Sequence, residues 1–223
     1  MLYIWKLILK IVMWFFIISI SSVIIFKFLP IPFTPFMIKR CIMQKVNDEE
    51  IKLNKEWKST DQISNNLKLA VISCEDQRFQ EHNGFDFEAI KKAMFENENG
   101  KRLRGGSTIS QQTAKNVFLL DGRNYIRKAF EAYFTFLIEL IWGKDRIMEC
   151  YLNVIEFGNG IYGAEAASQF YFKKHAVDLT KEQAATLAVL LPNPRVYGKN
   201  TKGNYVQKRK KWALQQMSYL SGK

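Results

Sequence analysis

Residues 74–87 read Cys-Glu-Asp-Gln-Arg-Phe-Gln-Glu-His-Asn-Gly-Phe-Asp-Phe, and the rest of the chain is organised around this stretch. The preceding residues 67–74 place apolar side chains at helical spacing, which predicts a helix with one buried face. That helix delivers Glu75 and Asp76 to its end, beside the core, before the chain breaks at the Asn-Gly pair. Burial there raises the pKa of a carboxyl group toward neutrality, as a general base requires. The alternative is an ordinary acidic pair that is solvated or paired with Arg78.

The N-terminal segment is long and apolar enough to cross a membrane. Residues 7–29 carry no charge between Lys10 and Lys27, which matches the roughly 20 residues that a spanning helix requires. A cleaved signal peptide is disfavoured, because the apolar run is long and residues 28–32 lack a small-x-small cleavage pattern. We therefore predict a retained transmembrane helix over 7–29, preceded by a short tail over 1–6. Lysines flank it on both sides, so the positive-inside rule does not fix its orientation.

The residues that follow this helix form a juxtamembrane segment over 30–46. Prolines interleaved with aromatic residues favour a stiff connection rather than a flexible tether. From residue 37 onward the pattern is amphipathic, so Met37, Cys41 and Ile42 are expected to face lipid while cations meet the headgroups. Those cations are Lys39, Arg40 and Lys45. An ordinary surface helix is an equally good interpretation.

Composition excludes several classes of function. The formal net charge of +12 suits a polyanion or an anionic membrane surface, but the chain lacks the common nucleic-acid-binding motifs, so no nucleic acid partner is expected. The three cysteines, Cys41, Cys74 and Cys150, are scattered and odd in number, which predicts buried free thiols. His82 and His175 belong to no cluster with metal-ligand spacing, so a transition-metal site built by the protein is not expected.

A second informative stretch, residues 105–116, reads Gly-Gly-Ser-Thr-Ile-Ser-Gln-Gln-Thr-Ala-Lys-Asn. Thr108 and Gln111 have the spacing of a capping box, so a helix is expected to begin here with free backbone amides. Such an N-terminus favours phosphate, although the stretch is not a Walker loop and implies no nucleotide. An ordinary capped helix is the alternative. The preceding residues 96–106 are polar, cationic and without apolar period, which predicts a mobile loop.

A long apolar pattern predicts a central core helix over 124–142. Arg127, Lys128 and Glu131 share one face of its first two turns, because side chains three and four positions apart are neighbours on a helix. A plain surface ion pair is the simplest interpretation. Charges on so apolar a helix must, however, be paired or line a cavity, which favours a binding site.

The remaining chain is also predicted to be helical. A helix begins after Gly143 and includes residues 144–153, and residues 156–167 form a glycine-rich loop that leads into a helix of small residues. Thr180 caps a further helix that ends near Leu191. No alternating strand pattern stands out, so the fold class is predicted to be mainly α.

Five motifs, taken in order, resemble those of the family 51 peptidoglycan glycosyltransferases. They are Glu-Asp-Gln-Arg-Phe-x-x-His-x-Gly-Phe-Asp at 75–86, Gly-Gly-Ser-Thr-Ile-Ser-Gln-Gln-x-x-Lys-Asn at 105–116, Arg-Lys-x-x-Glu at 127–131, Lys-x-x-Ile-x-x-x-Tyr-Leu-Asn at 144–153 and Gly-x-x-Gly-x-x-Ala-Ala at 160–167. Five motifs in the same order indicate the family far more specifically than any single motif does. The single anchor without a second domain resembles the monofunctional, biosynthetic branch of this family.

The resemblance implies a lysozyme-like, two-lobed glycosyltransferase domain over 47–223, with its smaller lobe apposed to the membrane. It implies polymerisation of lipid II into glycan strands during cell wall biogenesis, with inversion at the anomeric carbon and release of undecaprenyl pyrophosphate. It also implies a single-pass protein of the cytoplasmic (inner) membrane, with the N-terminus cytoplasmic and the catalytic domain outside. Its partners would be lipid II, the growing strand, the membrane and transpeptidases or other division and elongation proteins.

The resemblance also assigns roles to residues of this chain. Glu75 would be the base that deprotonates the acceptor 4-hydroxyl, and Glu131 a second catalytic carboxylate that orients cations or helps to hold Mg²⁺ with the substrate diphosphate; no organic cofactor is implied. The residues expected to bind the pyrophosphate are Lys115, Arg123, Arg127 and Lys128. Those expected to shape the donor side of the cleft are Ser107, Thr108, Gln111, Gln112 and Asn116. Those expected to position the first loop are Asp76, Phe79, His82 and Gly84.

One departure from the family pattern and two alternative functions accompany this interpretation. Residues 156–158 read Glu-Phe-Gly where many members of the family carry Arg-Gly, so one cation of the cleft is in doubt. The chain has no Ser-x-x-Lys or Lys-Thr-Gly motif, which excludes transpeptidase activity. A glycan-cleaving enzyme of similar fold also uses a Glu but needs no pyrophosphate site, so the cations favour synthesis. An anchored scaffold that binds glycan or lipid without turnover is the other alternative.

Overall fold

The computed structural model describes residues 2–98, 106–122 and 124–222. Their secondary structure is mostly helical, which confirms the predicted fold class. The helices are α1 (Leu2–Phe28), α2 (Pro35–Val46), α3 (Asn65–Glu75), α4 (Phe87–Glu98), α5 (Ile109–Phe118), α6 (Tyr125–Ile141), α7 (Lys144–Val154), α8 (Ala164–Phe172), α9 (Lys181–Leu190), α10 (Pro194–Tyr197) and α11 (Asn204–Ser221). Of the predicted loop over 96–106, the first three residues belong to α4, and 99–105 lie outside the described residues.

Helix α1 has the length and composition of a membrane span. Within its segment Tyr3–Phe28, an 18-residue window has a mean hydropathy of 2.4, and only 11% of that window is buried within the protein. One stripe nevertheless packs on α6: the hydroxyl groups of Ser19 and Tyr133 share a hydrogen bond of 2.7 Å, and the ring of Phe15 lies 5.5 Å from that of Phe130. The helix is thus consistent with a single-pass anchor that contacts the domain along one side.

The end of α1 is fixed to the domain by hydrogen bonds to its last carbonyl groups. The indole Nε1 of Trp142 donates to the carbonyl oxygen of Val23 at 2.7 Å, and the Arg146 guanidinium donates to that of Phe26 at 2.7 Å. The carbonyl groups of a final turn lack partners within their own helix, so the Arg146 bond satisfies that of Phe26. The Trp142 bond adds a second donor to the Val23 carbonyl oxygen one turn earlier. Lys55 Nζ then donates to the carbonyl oxygen of Ile31 at 2.8 Å, which fastens the proline-rich exit as well.

Helix α2 presents a different face to the domain from the one predicted. Thr34 caps it by accepting a hydrogen bond from the amide of Met37 at 3.2 Å. The Met37 side chain is fully buried in the core, so the prediction that it faces lipid is wrong, whereas Ile42 is exposed. Met37 and Gln44 lie seven positions apart, two helical turns, and together define the inward face. Cys41 beside them is partly buried.

Two groups of helices meet at the centre of the domain. In one, α3 packs between α9 and α11; in the other, α5 packs on α6 and α7. Ser64 caps α3, since its hydroxyl accepts from the amide of Asn66 at 3.2 Å. The predicted core helix is confirmed as α6, which Asn124 caps and which ends before Trp142. The capping boxes at Thr108 and Thr180 are confirmed too.

A small sheet corrects the prediction of a loop after residue 155. Its strands are β1 (Asn54–Lys55), β2 (Glu156–Gly158) and β3 (Ile161–Tyr162), in the spatial order β1-β3-β2. Strand β3 pairs parallel to β1 and antiparallel to β2. Strands of two or three residues are too short to show an alternating pattern, which is why the sequence did not reveal them.

Gly84 forms the turn between α3 and α4 with a positive φ of +90°. A Cβ atom added there would lie 2.8 Å from Thr135 Cγ2 and 3.1 Å from Glu139 Cγ. Gly143 has a similar φ of +78°, but no heavy atom lies within 4 Å of its added Cβ. The two glycines therefore share a positive φ and differ in steric surroundings.

We expect Gly84→Ala to lower the free energy of unfolding by about 2–4 kcal/mol, because it combines left-handed backbone strain with overpacking against α6. Gly143→Ala should cost only about 1–2 kcal/mol, the backbone strain alone. Chemical denaturation of the full-length protein in detergent, followed by tryptophan fluorescence, measures both. If both variants lose the same free energy of unfolding, overpacking of residue 84 against α6 does not affect stability.

Candidate active site

The carboxylate of Asp76 joins the loop after α3 to the start of α5. It is buried, and its Oδ2 accepts a hydrogen bond of 3.0 Å from the amide of Ile109, the first residue of α5. The Nε2 of His82 lies 3.0 Å from both Asp76 oxygens, and the amide of Gly84 donates to its Nδ1 at 3.1 Å. Because Nδ1 accepts, Nε2 carries the hydrogen and donates to Asp76. His82 and Gly84 thus lie where the predicted positioning role requires.

The N-terminus of α5 is already occupied by protein groups. Besides the bond from Ile109 to Asp76, the amide of Gln111 donates to Thr108 Oγ1 at 3.1 Å, and the amide of Thr108 donates to Gln111 Oε1 at 3.0 Å. Thr108 Oγ1 also donates to the carbonyl oxygen of Gly84 at 2.7 Å. The expectation that this N-terminus receives a phosphate stays a prediction, but the amides of Ile109 and Gln111 are already used by protein groups.

Glu75 is the last residue of α3 and is half-buried. Gln112 Nε2 donates to its Oε2 at 2.9 Å, and Tyr151 donates to Gln112 Oε1 at 3.3 Å. Burial raises the pKa of Glu75 above its ordinary value, while the Gln112 hydrogen bond and the Arg209 charge oppose that rise. A carboxyl group with a raised pKa, beside a polar cavity, is suited to accept a proton.

Arg78 is not the partner of Glu75. Its guanidinium pairs with Glu81 at 2.8 Å, with Asp86 at 3.4 Å and with Glu88. These contacts tie the loop to the first turn of α4. The alternative in which Glu75 is neutralised by Arg78 is therefore wrong.

A polar cavity of about 110 Å³ opens between α5 and α6. Its lining consists of Ser107, Gln111, Gln112, Lys115, Arg127, Lys128 and Glu131, all of them predicted site residues. Gln112 both lines this cavity and binds Glu75, so one side chain connects the carboxylate to the cavity. Burial lowers the pKa of Lys115, and the Glu131 carboxylate opposes that fall. An anion entering the cavity would likewise favour the charged form of Lys115.

Glu131 holds the cations of α6 together. It is buried, and its two oxygens accept hydrogen bonds from Arg127 Nη1 at 2.7 Å and from Lys128 Nζ at 2.5 Å. Arg127 Nε is buried and has no hydrogen-bond partner in the described part of the chain. Lys115 likewise makes no ion pair with any described residue. Among the described residues, Lys115 and the Nε of Arg127 therefore have unused donors, and both side chains line the cavity, as an anion-binding site requires.

A divalent cation fits Glu131 poorly in this arrangement. Both carboxylate oxygens are engaged by Arg127 and Lys128. Among the described residues no group of three or more His, Cys, Asp or Glu side chains could hold a metal ion. Because Mg²⁺ prefers several oxygen ligands, an ion here would depend on oxygens that the substrate brings.

Of the residues predicted to bind the pyrophosphate or to shape the donor side of the cleft, Thr108 and Asn116 lie outside the cavity lining. Thr108 is buried beneath the loop, and Asn116 has a buried Nδ2 without a partner in the part of the chain that the structure describes. Arg123 lies outside the described residues. Phe79 is fully buried, with Lys144 Nζ 4.6 Å from the centre of its ring, so it supports the loop from below.

Arg209 on α11 is a cation near Glu75 that the sequence did not indicate. Its guanidinium lies 4.1 Å from the centre of the Trp212 ring, and its charge lowers the pKa of both Cys74 and Glu75. It sits in a run of four basic residues, 208–211, whose default interpretation is a solvated helix face. Only the packing of α11 on α3 distinguishes it from its neighbours.

A partly buried polar cluster beneath the loop was also missed. Lys144 Nζ donates to the carbonyl oxygen of His82 at 2.5 Å and to Glu139 Oε1 at 2.7 Å, and Ser110 donates to the same Glu139 oxygen at 2.5 Å. Lys144 and Ser110 belong to motifs of the sequence, but nothing in their spacing predicts that they meet at Glu139. Together they hold the loop from the side opposite Asp76.

Glu156 stands at the one departure from the family pattern. Glu156 is buried and forms a two-pronged ion pair with Arg195 of α10, at 2.9 Å for Nη2 and 3.1 Å for Nε. A cation therefore does lie at this departure from the family pattern, although its charge is balanced.

All three cysteines are free; Cys150 is buried, whereas Cys41 and Cys74 are only partly so.

Comparison with known proteins agrees with this geometry. A family model described as Transglycosylase matches residues 42–218. A biosynthetic peptidoglycan transglycosylase of Pseudomonas fluorescens Pf-5 is 47% identical over 220 residues, which cover 99% of this chain and 92% of that protein. Proteins of the same name from Bdellovibrio bacteriovorus and Haemophilus influenzae are 48% and 49% identical over 213 residues each, covering 96% and 95% of this chain and 85% and 87% of theirs.

The match of the family model extends from within α2 to the last turns of α11, and the relatives also align with the N-terminal helix. The shared region thus contains Glu75, the cavity and its cations. The chain belongs to the transglycosylase family.

Proposed function

We propose that this protein is a peptidoglycan glycosyltransferase that polymerises glycan strands from lipid II during cell wall biogenesis. The observation that carries the proposal is the connection, through Gln112, of a carboxyl group of raised pKa to a cavity with unused cationic donors. A base and an anion site side by side are what transfer of a sugar from a diphosphate requires. The names of the relatives support the same reaction.

The reaction assigns one step to each part of the site. Glu75 takes the proton of the acceptor 4-hydroxyl while that oxygen bonds to the anomeric carbon of the donor. The bond from this carbon to the diphosphate oxygen breaks on the opposite face, so the configuration inverts. The electron pair of the broken bond leaves with undecaprenyl pyrophosphate. A positioned base of this kind contributes typically about 10²–10⁴ in rate.

The cavity stabilises the leaving diphosphate. Lys115 and Arg127 offer donors that no described residue uses, and Lys128 can turn from Glu131 toward an incoming oxygen. Donors fixed before the reaction lower the barrier because they need no reorganisation as charge develops. Glu131 acts in this proposal as a positioning residue for the two cations of α6. Mg²⁺ bound with the diphosphate remains a proposal, and no step depends on it.

The membrane topology follows from this reaction. If lipid II is polymerised outside the cytoplasmic membrane, the N-terminus is cytoplasmic and the domain lies on the outer side. The contact of α1 with α6 then keeps the cavity near the surface from which a lipid-linked substrate comes. Cross-linking of the strands would require a separate transpeptidase, because the chain carries no motif for it.

Replacement of Glu75 directly tests its assignment as the catalytic base. We expect Glu75→Gln to lower polymerisation of lipid II by about 10²–10⁴-fold while the amide keeps its hydrogen bond to Gln112. The measurement is gel analysis of labelled glycan made by the full-length protein in detergent. Glu182→Gln, at an exposed position of α9, is the matched control and should retain activity.

The same preparation tests the alternative reaction when it is given finished glycan strands. We expect no cleavage, because glycan hydrolysis would make no use of the cationic cavity. Cleavage of strands by the wild type, or undiminished polymerisation by Glu75→Gln, contradicts the proposal.

Removal of the Arg209 charge should change the pH dependence of kcat/KM. Arg209 favours the ionised form of Glu75, so Arg209→Gln should raise the pKa of this base further. A base is active when ionised, and activity is lost as the pH falls through its pKa. The acidic limb of the profile should therefore move to higher pH in Arg209→Gln and stay in place in Lys208→Gln. If the acidic limb does not move in Arg209→Gln, the charge of Arg209 does not influence the pKa of Glu75.

Lys128→Gln should weaken anion binding without unfolding the site. The Lys128 side chain is 49% exposed, and Arg127 would still donate to Glu131 in its absence. We expect the affinity for inorganic pyrophosphate, measured by calorimetry, to fall roughly tenfold or more, because a hydrogen bond between charged groups is lost. Lys181→Gln on α9 is the control. Equal affinity of Lys128→Gln and wild type would place the diphosphate elsewhere.

A further inference from the structure

The hydroxyl group of Tyr151 bonds to the same amide that holds the candidate base. Tyr151 belongs to α7, and its side chain is fully buried, outside the cavity lining. Its hydroxyl donates to Gln112 Oε1 at 3.3 Å, and Gln112 Nε2 donates to Glu75 Oε2 at 2.9 Å. Side chains from α7, α5 and α3 thus form a short chain of hydrogen bonds that ends at the carboxyl group.

The direction of these hydrogen bonds depends on Tyr151 staying neutral. Burial raises the pKa of Tyr151 well above its ordinary value, and the charge of Glu75 adds to that rise. The hydroxyl therefore keeps its hydrogen at physiological pH and can donate it. An ionised carboxylate accepts hydrogen bonds but donates none, so Glu75 requires the NH₂ side of the Gln112 amide. The carbonyl oxygen of Gln112 is then the acceptor for Tyr151.

The opposite orientation of the Gln112 amide would work against an ionised base. Rotation by half a turn would bring Oε1 against the carboxylate of Glu75, so that two acceptors would face each other. That orientation suits a protonated Glu75, because a carboxylic acid can donate to Oε1. It would also remove the one acceptor that the Tyr151 hydroxyl has among the described residues. Tyr151 therefore favours the orientation in which Gln112 donates to Glu75.

Gln112 has a second place to bind if Tyr151 releases it. Its side chain borders the cavity, and Lys115, three positions further along α5, lines the same cavity without an ion pair to any described residue. Side chains at this spacing are neighbours on a helix. A Gln112 carbonyl oxygen freed from Tyr151 can turn to the ammonium group of Lys115, and its NH₂ group then leaves Glu75.

We propose that Tyr151 is a positioning residue of the transfer reaction, which fixes the Gln112 amide so that its NH₂ group holds the Glu75 carboxylate. Oε2 of Glu75 is used by that bond, and no described residue donates to Oε1. Oε1 is therefore the oxygen that takes the proton of the acceptor hydroxyl. This inference rests on the proposed function, because it concerns the step that Glu75 performs there.

The variant Tyr151→Phe removes the hydroxyl group and keeps the ring. We expect kcat of lipid II polymerisation to fall about three- to tenfold, as for one lost hydrogen bond, while KM stays the same because Tyr151 does not line the cavity. The Gln112 bond lowers the pKa of Glu75, so its loss should move the acidic limb of the kcat/KM profile to higher pH. A raised KM with unchanged kcat contradicts the proposal.

Tyr171→Phe is the matched control for the loss of a tyrosine hydroxyl group. The Tyr171 hydroxyl donates to the carbonyl oxygen of Phe157 at 3.0 Å, on the strand β2 rather than at the cavity. We expect this variant to keep the kcat and the pH profile of the wild type. An equal shift of the acidic limb in both variants would assign the effect to general loosening of the fold and overturn the proposal.

A double-mutant cycle tests whether Tyr151 acts through Gln112. Gln112→Met removes the amide from a side chain of similar length. If the role of Tyr151 is to hold that amide, Tyr151→Phe should lower kcat in the wild type and have no further effect in Gln112→Met, because coupled residues are not additive. Equal reductions of kcat in both backgrounds show that Tyr151 acts by packing alone, and they refute the positioning role.

A measurement without lipid II separates this inference from the proposed function. Carbon-13 NMR of the full-length protein in detergent, labelled at the glutamate side-chain carboxyl carbon, follows the titration of Glu75, and the signal missing from Glu75→Gln assigns it. We expect the titration midpoint to lie at higher pH in Tyr151→Phe and to be unchanged in Tyr171→Phe. An unmoved midpoint in Tyr151→Phe refutes the positioning role, whereas a wild type that does not polymerise lipid II refutes the proposed function.

Discussion

The site depends on the contact between the Asp76 carboxylate and the first amide of α5, which joins positions 33 residues apart. A buried carboxylate is stabilised there by the positive end of the helix and by the ring of His82. This contact brings the end of α3 against the start of α5, so that Glu75 meets Gln112. The amides used in this way cannot also bind a ligand. In the proposed function, the anion is therefore bound mainly by side chains from the middle of α5 and the start of α6.

Burial acts in opposite directions on the two kinds of charge at this site. It raises the pKa of Glu75 and lowers that of Lys115, so each group is shifted toward its neutral form. Neighbouring charges moderate both shifts, Arg209 for the carboxyl group and Glu131 for the ammonium. Shifted groups that face a shared cavity are typical of sites at which protons and anions are handled. The surrounding helices hold both groups in place, which removes the need to order them when a substrate arrives.

Sequence reasoning succeeded where the determinants are local. The capping box at Thr108 and the ion pairs of Glu131 depend on neighbours within one helix, and the cavity lining comes from two helices that lie close in the sequence. It failed where tertiary packing decides. The inward face of α2 depends on the domain beneath Met37, and the approach of Arg209 to Glu75 depends on how α11 crosses α3. A run of basic residues carries no sign of which one will face the core.

The engagement of Glu131 by two cations has a consequence for the empty enzyme. Like charges confined on one helix turn repel each other, and without a counter-charge Arg127 and Lys128 would swing apart into solvent. In the proposed reaction, the carboxylate occupies these cations in place of the phosphate oxygens of a departing product. If the product binds these cations as proposed, they return to Glu131 when it dissociates. The site is thereby reset between turnovers without collapsing, and an arriving anion has only to exchange with a neighbour rather than assemble its own receptor.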